Sequence, residues 1–98
     1  MAITPEGKVQ RYCAAGFKRI GGLVRKMKWE GRNGAPDLCI FMPGGIVLFV
    51  EVKKDDGKVR VSQSKEHKRM KARNAHVYIV RTVEDVNKLI TKYSLDVI

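Results

Sequence analysis

The chain has 98 residues, a length that allows one small domain with a single hydrophobic core. Twenty lysines and arginines face ten aspartates and glutamates, so the net charge is +10 and we expect an anionic partner, above all nucleic acid. There is no signal-peptide pattern and no long apolar run, which argues against secreted and membrane proteins and favours a cytoplasmic location.

The first predicted element is a helix over residues 4–15. Thr4 is a good N-cap, Pro5 suits the first helical position, and Glu6 places an acid in the first turn, where it favours the helix dipole. Val9 lies three residues beyond Glu6, and we expect their shared face to point inward. Gly16 is expected to end the helix.

Residues 23–28 are predicted to form a strand at the edge of a sheet, antiparallel to the segment that follows. The loop after it contains Arg32, which either contacts a phosphate or is simply solvated. Cys13 and Cys39 lie in apolar surroundings without CxxC spacing, so we expect both to be buried free thiols.

The most informative stretch is residues 33–54, in which two apolar runs surround a Pro-Gly-Gly turn. It predicts a β-hairpin with residues 43–45 as a three-residue loop, because glycine readily adopts positive φ. Met42 then pairs with Ile46, and Asp37 lies opposite Glu51 with Cβ atoms roughly 4.5–5.5 Å apart. A two-residue loop would turn Asp37 to the other face of the sheet.

This hairpin predicts a metal site. Lys53 shares a face with Glu51, because side chains alternate along a strand. Two carboxylates at this separation repel each other unless a proton or a cation lies between them. Mg²⁺ binds through one or two carboxylates with other oxygens, to which the Val52 carbonyl would add. In the alternative interpretation Asp37 and Glu51 are strand-end residues paired with lysines, but the apolar strands that they end favour the metal site.

A basic helix is predicted over residues 63–74, with Ser62 as N-cap after an extended segment at residues 59–61. Gln63 and His67 share one face of it, and His67 is expected to be a partly buried surface residue without a catalytic role. Elsewhere the helix has only Glu66 against five cations, which we expect to contact DNA: Lys65, Lys68, Arg69, Lys71 and Arg73.

The chain is predicted to end in a buried strand, residues 76–80, and a last helix. Thr82 and Asp85 form a capping box for that helix. Its predicted inward stripe consists of Val83, Val86, Ile90 and Tyr93. The element order is then α-β-β-β-α-β-α, with a strand–helix–strand crossover after the hairpin, and the fold class is α/β.

These residues together resemble a known family. Asp37, Glu51 and Lys53 stand in a PD…EVK pattern that is similar to the PD-(D/E)XK nuclease motif. The fuller order resembles the VRR-NUC branch, in its stand-alone phage or bacterial form. It comprises Glu6 in an N-terminal helix, GAPDL at residues 34–38, EVK, and Gln63 at the start of a helix. PD…EXK alone has many chance matches, whereas the ordered set is much more specific.

The resemblance implies a restriction-endonuclease-like fold, a mixed β-sheet flanked by helices, in a single domain spanning residues 1–98. It implies a metal-dependent endodeoxyribonuclease that uses Mg²⁺, with Mn²⁺ as an alternative. The metal ligands would be Asp37, Glu51 and the Val52 carbonyl. Glu6 would reach the metal directly or through water, unless it serves the helix dipole alone.

Two further side chains would take part in the reaction. Lys53 would orient the attacking water or stabilise charge on the phosphoryl oxygens. Gln63 would hydrogen-bond that water or position Lys53, a role that the resemblance alone implies. The DNA-binding set would combine Arg32 and Lys54 with the five cations of the basic helix.

For the substrate, the resemblance implies branched DNA, particularly the four-way (Holliday) junction. It also implies a homodimer that acts in a bacterial cytoplasm and is encoded by a bacterium or a phage. Two other interpretations stay open. One is a restriction-like endonuclease that cuts a specific duplex sequence. The other is a basic nucleic-acid-binding module without catalysis, whose binding would fall steeply with salt and ignore Mg²⁺.

Overall fold

The computed structural model describes residues 4–95, so residues 1–3 and 96–98 of the expected domain lie outside the description. Its elements are α1 (Pro5–Arg19), β1 (Leu23–Lys26), β2 (Leu38–Phe41), β3 (Val47–Val52), α2 (Val61–Lys71), β4 (His76–Val80) and α3 (Val83–Leu95). This confirms the predicted order α-β-β-β-α-β-α. No helix within residues 4–95 is long and apolar enough to cross a membrane.

The four strands form one mixed sheet in the order β1-β2-β3-β4. The first three strands are antiparallel neighbours, and β4 runs parallel to β3 after the crossover through α2. On one face, α1 and α3 cover a core in which Phe17 and Val86 pack with Leu48 and Val50. The other face carries the alternate residues of the strands and is covered by α2, mainly over β4.

The hairpin has the predicted register. Ile40 pairs with Leu48 and Phe41 with Val47. The Met42 amide donates to the Ile46 carbonyl at 2.7 Å, which closes a loop of residues 43–45. Gly44 and Gly45 have φ values of 87° and 85°, which side-chain-bearing residues rarely adopt. The glycines thus fix the longer loop, and the longer loop fixes which face Asp37 and Glu51 share.

The prediction that Gly16 ends α1 is wrong. The helix continues to Arg19 and has Ile20 as its C-cap. Gly21 follows with a φ of +93°, and the Gly22 amide donates back to the Phe17 carbonyl at 2.8 Å. Gly16 instead lies where α1 packs against α3, because a Cβ atom there would overlap with Cδ1 of Ile90. Glycine is present for close helix packing and not as a stop signal.

Strand β1 ends at Lys26 instead of residue 28. Lys26 pairs with Leu38, so residue 28 would pair with Pro36. The Met27 amide still donates to the Asp37 carbonyl at 2.9 Å, so the pairing stops one residue short of Pro36.

Helix α2 begins two residues earlier than predicted and is capped by Arg60, not Ser62. The Gln63 side-chain oxygen accepts the Arg60 amide at 3.2 Å, so Gln63 stands in the third helical position. Val61 is helical, not extended, and the helix ends at Lys71 before Asn74 adopts a φ of 65°.

The last helix has the predicted capping box, with the Asp85 amide bonded to Thr82 Oγ1 at 3.1 Å and the Thr82 amide to Asp85 Oδ2 at 3.2 Å. Its inward stripe differs at one position. Val83 is exposed, whereas Val86 and Tyr93 are buried and Ile90 is half-buried against the core, as predicted; Leu89, which was not predicted, is also buried. Val83 lies in the first turn, at the margin of that stripe, where its side chain leaves the core.

Both cysteines are buried and free, as expected. Burial raises the pKa of the Cys13 thiol to about 12 and that of Cys39 in the same direction. Both thiols are therefore packing residues.

Candidate active site

The two carboxylates of the hairpin meet at one end of the sheet. Leu38 pairs with Val50, so Asp37, which directly precedes β2, lies across from Glu51. Asp37 Oδ2 accepts the Val52 amide at 2.7 Å, which fixes its carboxylate against the end of β3.

Glu51 is buried to an unusual degree for a carboxylate, with 1% of its surface exposed. Its Oε2 atom accepts the Gln63 side-chain amide at 2.8 Å and lies 3.3 Å from the Lys53 ammonium. Its Oε1 atom is equally buried but has no hydrogen-bond partner among residues 4–95. An unsatisfied buried carboxylate oxygen is costly, which points to a cation or another ligand as its missing partner.

The pKa of Glu51 reflects this environment. Burial raises it from 4.5 to about 7, and the negative charge of Asp37 adds to the increase. The ion pair with Lys53 and the Gln63 hydrogen bond act in the opposite direction. Without a further cation, Glu51 is thus only partly ionised near neutral pH.

Lys53 and Gln63 reach Glu51 from different elements. Lys53 follows β3 and continues the pairing of β3 with β4, because its backbone amide donates a hydrogen bond to the Val80 carbonyl at 3.0 Å. This pairing keeps the Lys53 ammonium on the same face of the sheet as Glu51. Gln63 approaches from the first turn of α2, where its oxygen caps Arg60 and its nitrogen bonds Glu51. The structure thus brings both predicted residues to the predicted carboxylate.

Glu6 also lies at this end of the sheet. Its Oε1 atom accepts the Lys54 amide at 3.2 Å, so the first turn of α1 is tied to the residue after Lys53. Within residues 4–95, however, no cluster of three His, Cys, Asp or Glu side chains is close enough to hold a metal. The contact of Glu6 is with the backbone, and its coordination of a metal stays a prediction.

Asp37 and Glu51 fit a hard divalent cation better than a soft one. Both offer carboxylate oxygens, their charges repel each other, and Glu51 Oε1 lacks a partner among the described residues. Mg²⁺ is commonly bound by one or two carboxylates, with water and substrate phosphate oxygens completing the shell. The donor set is therefore adequate for Mg²⁺ or Mn²⁺ when DNA is bound.

Gly34 joins the loop before Asp37 to helix α2. Its φ is +102°, and a Cβ atom at this position would stand 2.7 Å from the Ser62 carbonyl oxygen. Only glycine meets both conditions without a shift of the backbone. The loop that leads into Asp37 and the helix that carries Gln63 are thus packed directly against each other.

The cations predicted to bind DNA are all exposed: Arg32, Lys54, Lys65, Lys68, Arg69, Lys71 and Arg73. The structure divides those near α2 between its two flanks. Arg32, Lys65 and Arg69 line a groove of about 340 Å³ between the Asp37 loop and the helix. Lys68 and Lys71 line a separate pocket of about 260 Å³ on the side of β4.

The remaining two cations of the set have local partners. Lys54 lies 3.7 Å from Asp56 in an exposed ion pair, which contributes little to stability. Arg73 donates to the Arg69 carbonyl at 2.9 Å. Both side chains keep their exposure, so these contacts leave the charges available to an anion.

Two residues of α2, Glu66 and His67, have surroundings that the sequence did not suggest. Glu66 accepts hydrogen bonds from Arg32 and Arg69, each at 3.3 Å, and so holds both cations at the groove. His67 is 5% exposed, more buried than expected, and its Nε2 atom has no partner among the described residues. Burial lowers its pKa, and nearby Lys71 lowers it further. Two features of the sequence could have pointed to these residues: Glu66 is the lone acid of a basic helix, and His67 lies one turn beyond Gln63.

Comparison with known proteins gives consistent matches. The sequence model of the VRR-NUC domain matches residues 7–84. A protein of Acyrthosiphon pisum secondary endosymbiont phage 1, described as "Putative nuclease p44", is 30% identical over 90 residues, 92% of this chain and 96% of the relative. A solved structure described as a VRR-NUC domain is 46% identical, with a TM-score of 0.88 over 92% of this chain and 98% of that one.

Proposed function

This chain belongs to the VRR-NUC family, and we propose that it is an endonuclease that hydrolyses DNA phosphodiester bonds with the help of a divalent metal ion. The family and the phage relative support a nuclease. The observation that carries the metal-dependent reaction is the buried Glu51 carboxylate, which faces Asp37 and has one oxygen without a partner among the described residues. A cation at that oxygen would relieve both the unsatisfied atom and the repulsion from Asp37.

The metal would be Mg²⁺ or Mn²⁺, held by Asp37, Glu51 and the Val52 carbonyl. When bound, it would lower the pKa of a water molecule and neutralise charge on the phosphate. Hydrolysis forms a bond from the water oxygen to phosphorus and breaks the bond from phosphorus to one sugar oxygen, which leaves with a proton.

Lys53 orients the water or stabilises the charge that develops on the phosphoryl oxygens. As an ammonium in an ion pair with Glu51, it has no free electron pair with which to accept the water proton. The Lys53 ammonium would be free to turn toward the phosphate if a bound cation shared the charge of Glu51. Gln63 holds Glu51 Oε2 in place throughout, and Glu6 holds the Lys54 backbone beside it.

The substrate in this proposal is branched DNA, with the four-way junction as its main form, in the cytoplasm of a bacterial host. A two-fold junction offers two equivalent strands, and a two-fold homodimer would place one site on each. Support for self-association comes from Leu23 and Phe41, exposed cross-strand neighbours on the face of the sheet that α2 leaves open.

The test is cleavage of an end-labelled four-way junction and a linear duplex of the same sequence, with Mg²⁺, Mn²⁺ or EDTA. Lys53→Ala and Glu51→Gln are the site variants. Lys58→Ala, which removes an exposed cation, is the control. We expect paired nicks in the junction that need the metal, are lost in both site variants and persist in the control. Light scattering of the protein should give twice the monomer mass.

Each rival predicts another result. Equal cutting of junction and duplex would keep the nuclease and reject the preference for branches. Cutting at one sequence in linear duplex would favour the restriction-like enzyme. Binding that ignores Mg²⁺, without cleavage in either metal, would reject the enzyme and leave the basic binding module.

A further inference from the structure

A second basic groove lies on the opposite face of the sheet from α2, between α1 and the edge strand β1. Its volume is about 430 Å³. Its apolar floor includes Val24 and Leu38, and its cations are Arg11 and Lys18 of α1 and Lys26 of β1. No acidic residue is among those that line it in the described chain. The groove therefore has an apolar floor and a uniformly positive wall.

The spacing of residues along α1 produces this groove. Gly7, Arg11, Ala14 and Lys18 recur at intervals of three or four residues and so form one stripe of the helix. The small residues Gly7 and Ala14 leave room beside the sheet, while the long side chains of Arg11 and Lys18 border that room. The sequence showed these cations only as scattered charges on the first helix.

The three cations of the groove have no acidic partner among residues 4–95. The ion pairs within residues 4–95 involve Arg32, Lys53, Lys54 and Arg69, and none includes Arg11, Lys18 or Lys26. All three side chains are exposed. Unpaired like charges along one groove repel each other and attract an extended anion.

The groove opens at the catalytic end of the sheet. Lys26 pairs with Leu38, the neighbour of Asp37, and the next amide, that of Met27, donates to the Asp37 carbonyl at 2.9 Å. Gly7 follows Glu6, which binds the Lys54 backbone. From Gly7 to Lys18, α1 carries the groove away from the carboxylates for roughly 16 Å, the length of eleven helical residues.

We propose that this groove holds the sugar-phosphate backbone of one DNA strand, continuing from the phosphate at the carboxylates. This inference rests on the proposed function. Arg11 and Lys18 are seven residues apart, roughly 10 Å along the helix, which is about three nucleotides of a strand. The apolar floor suits sugar rings between the phosphates.

Together with the groove of Arg32, Lys65 and Arg69, this groove would give the DNA strand a basic surface on each side of the cleavage site. The two grooves lie on opposite faces of the sheet, and each is lined by a helix whose first turn reaches the catalytic end, α1 through Glu6 and α2 through Gln63. DNA that is to occupy both must cross that end, where the carboxylates lie.

The test compares two triple variants with equal loss of charge. The groove variant carries Arg11→Ala, Lys18→Ala and Lys26→Ala. The control carries Lys8→Ala, Arg19→Ala and Lys88→Ala, exposed cations that do not line the groove. Binding of each to a labelled four-way junction is measured in EDTA at several salt concentrations. Each lost phosphate contact lowers the slope of log affinity against log salt by about 1, so we expect a loss of ~2–3 for the groove variant only.

A second readout locates the strand. When neutral methylphosphonate linkages are placed one at a time beside the cleavage site, binding of the unmodified protein should weaken at about three positions on one side, one for each cation of the groove. The groove variant should be insensitive to the same linkages. The single change Lys26→Glu, on an exposed strand residue, repeats the comparison if the triple variant does not fold.

Equal salt slopes for the groove variant and the control would overturn the inference, as would equal sensitivity to the neutral linkages. Cleavage in Mg²⁺ by the unmodified protein is scored separately. Cleavage with equal slopes rejects the groove and keeps the nuclease, whereas unequal slopes without cleavage keep the groove and reject the nuclease.

Discussion

Gln63 and Glu51 are joined across two elements: the Gln63 side-chain nitrogen donates to Glu51 Oε2 at 2.8 Å, while its oxygen caps the start of α2. One side chain thus sets the position of the helix and of the buried carboxylate together. The same oxygen of Glu51 is 3.3 Å from the Lys53 ammonium. The geometry of the site therefore depends on α2 although none of the carboxylates lies on that helix.

The first prediction concerns this hydrogen bond. Gln63→Ala removes a donor that lowers the pKa of Glu51, so in metal-free protein that pKa should rise above its value of about 7. It also removes the cap of Arg60, which should destabilise the fold by about 1 kcal/mol. Carboxyl-carbon NMR titration measures the first effect and urea unfolding the second. Ser64→Ala, one position further along α2, is the control and should leave the titration unchanged.

The second prediction follows from the raised pKa of Glu51. Because its folded-state pKa of about 7 exceeds the ordinary 4.5, the folded state favours the protonated form. The free energy of unfolding of the metal-free protein should therefore be highest below pH 4.5 and fall as the pH rises through 7, because Glu51 ionises less readily in the folded protein than in the unfolded chain.

Glu51→Gln cannot ionise and should remove this fall. At pH 8 its melting temperature should exceed that of the metal-free original, with a free-energy gain of up to about 3 kcal/mol, and the gain should shrink toward pH 5. The exposed Glu30→Gln should show no such trend. A gain that is constant with pH would contradict the assignment.

The third prediction separates two effects of glycine. Gly34→Ala and Gly31→Ala both place a side chain at positive φ, which costs roughly 1–2 kcal/mol. Only at Gly34 would the new Cβ atom also meet a backbone oxygen, that of Ser62, whereas Gly31 has nothing within 4 Å. Gly34→Ala should thus destabilise more and displace α2 with Gln63, which lowers kcat, while Gly31→Ala should keep kcat. Denaturant unfolding measures the stability, and steady-state cleavage with excess DNA measures kcat.

The fourth prediction concerns the thiols. Burial of Cys13 raises its pKa to about 12, so at pH 8 almost none of it is thiolate. In the folded protein, a thiol reagent such as dithionitrobenzoate should modify Cys13 only as fast as the protein unfolds enough to expose it. In urea, the reagent should modify both thiols at once. Fast reaction of Cys13 under native conditions would contradict its place in the core.

The local sequence determined much of this protein. The Pro-Gly-Gly turn specified the hairpin register, because glycines at positive φ select the three-residue loop, and the register put Asp37 across from Glu51. Thr4 and Thr82 were identified as helix starts because a cap is a contact between residues three positions apart. The ordered motif set indicated the family that the comparisons support.

The tertiary structure decided what depends on contacts between distant segments. From the sequence, Gly16 was expected to end α1. In the structure it lies where α1 packs against Ile90 of α3, which leaves no space for a side chain. The burial of Glu51, its unpartnered oxygen among the described residues and its raised pKa arise where β3 meets the first turn of α2, a contact between distant segments that no local pattern reports. The groove of Arg11, Lys18 and Lys26 exists only because α1 lies beside β1. Burial and charge clustering are set by packing between segments far apart in the chain, and so only the folded chain defines them.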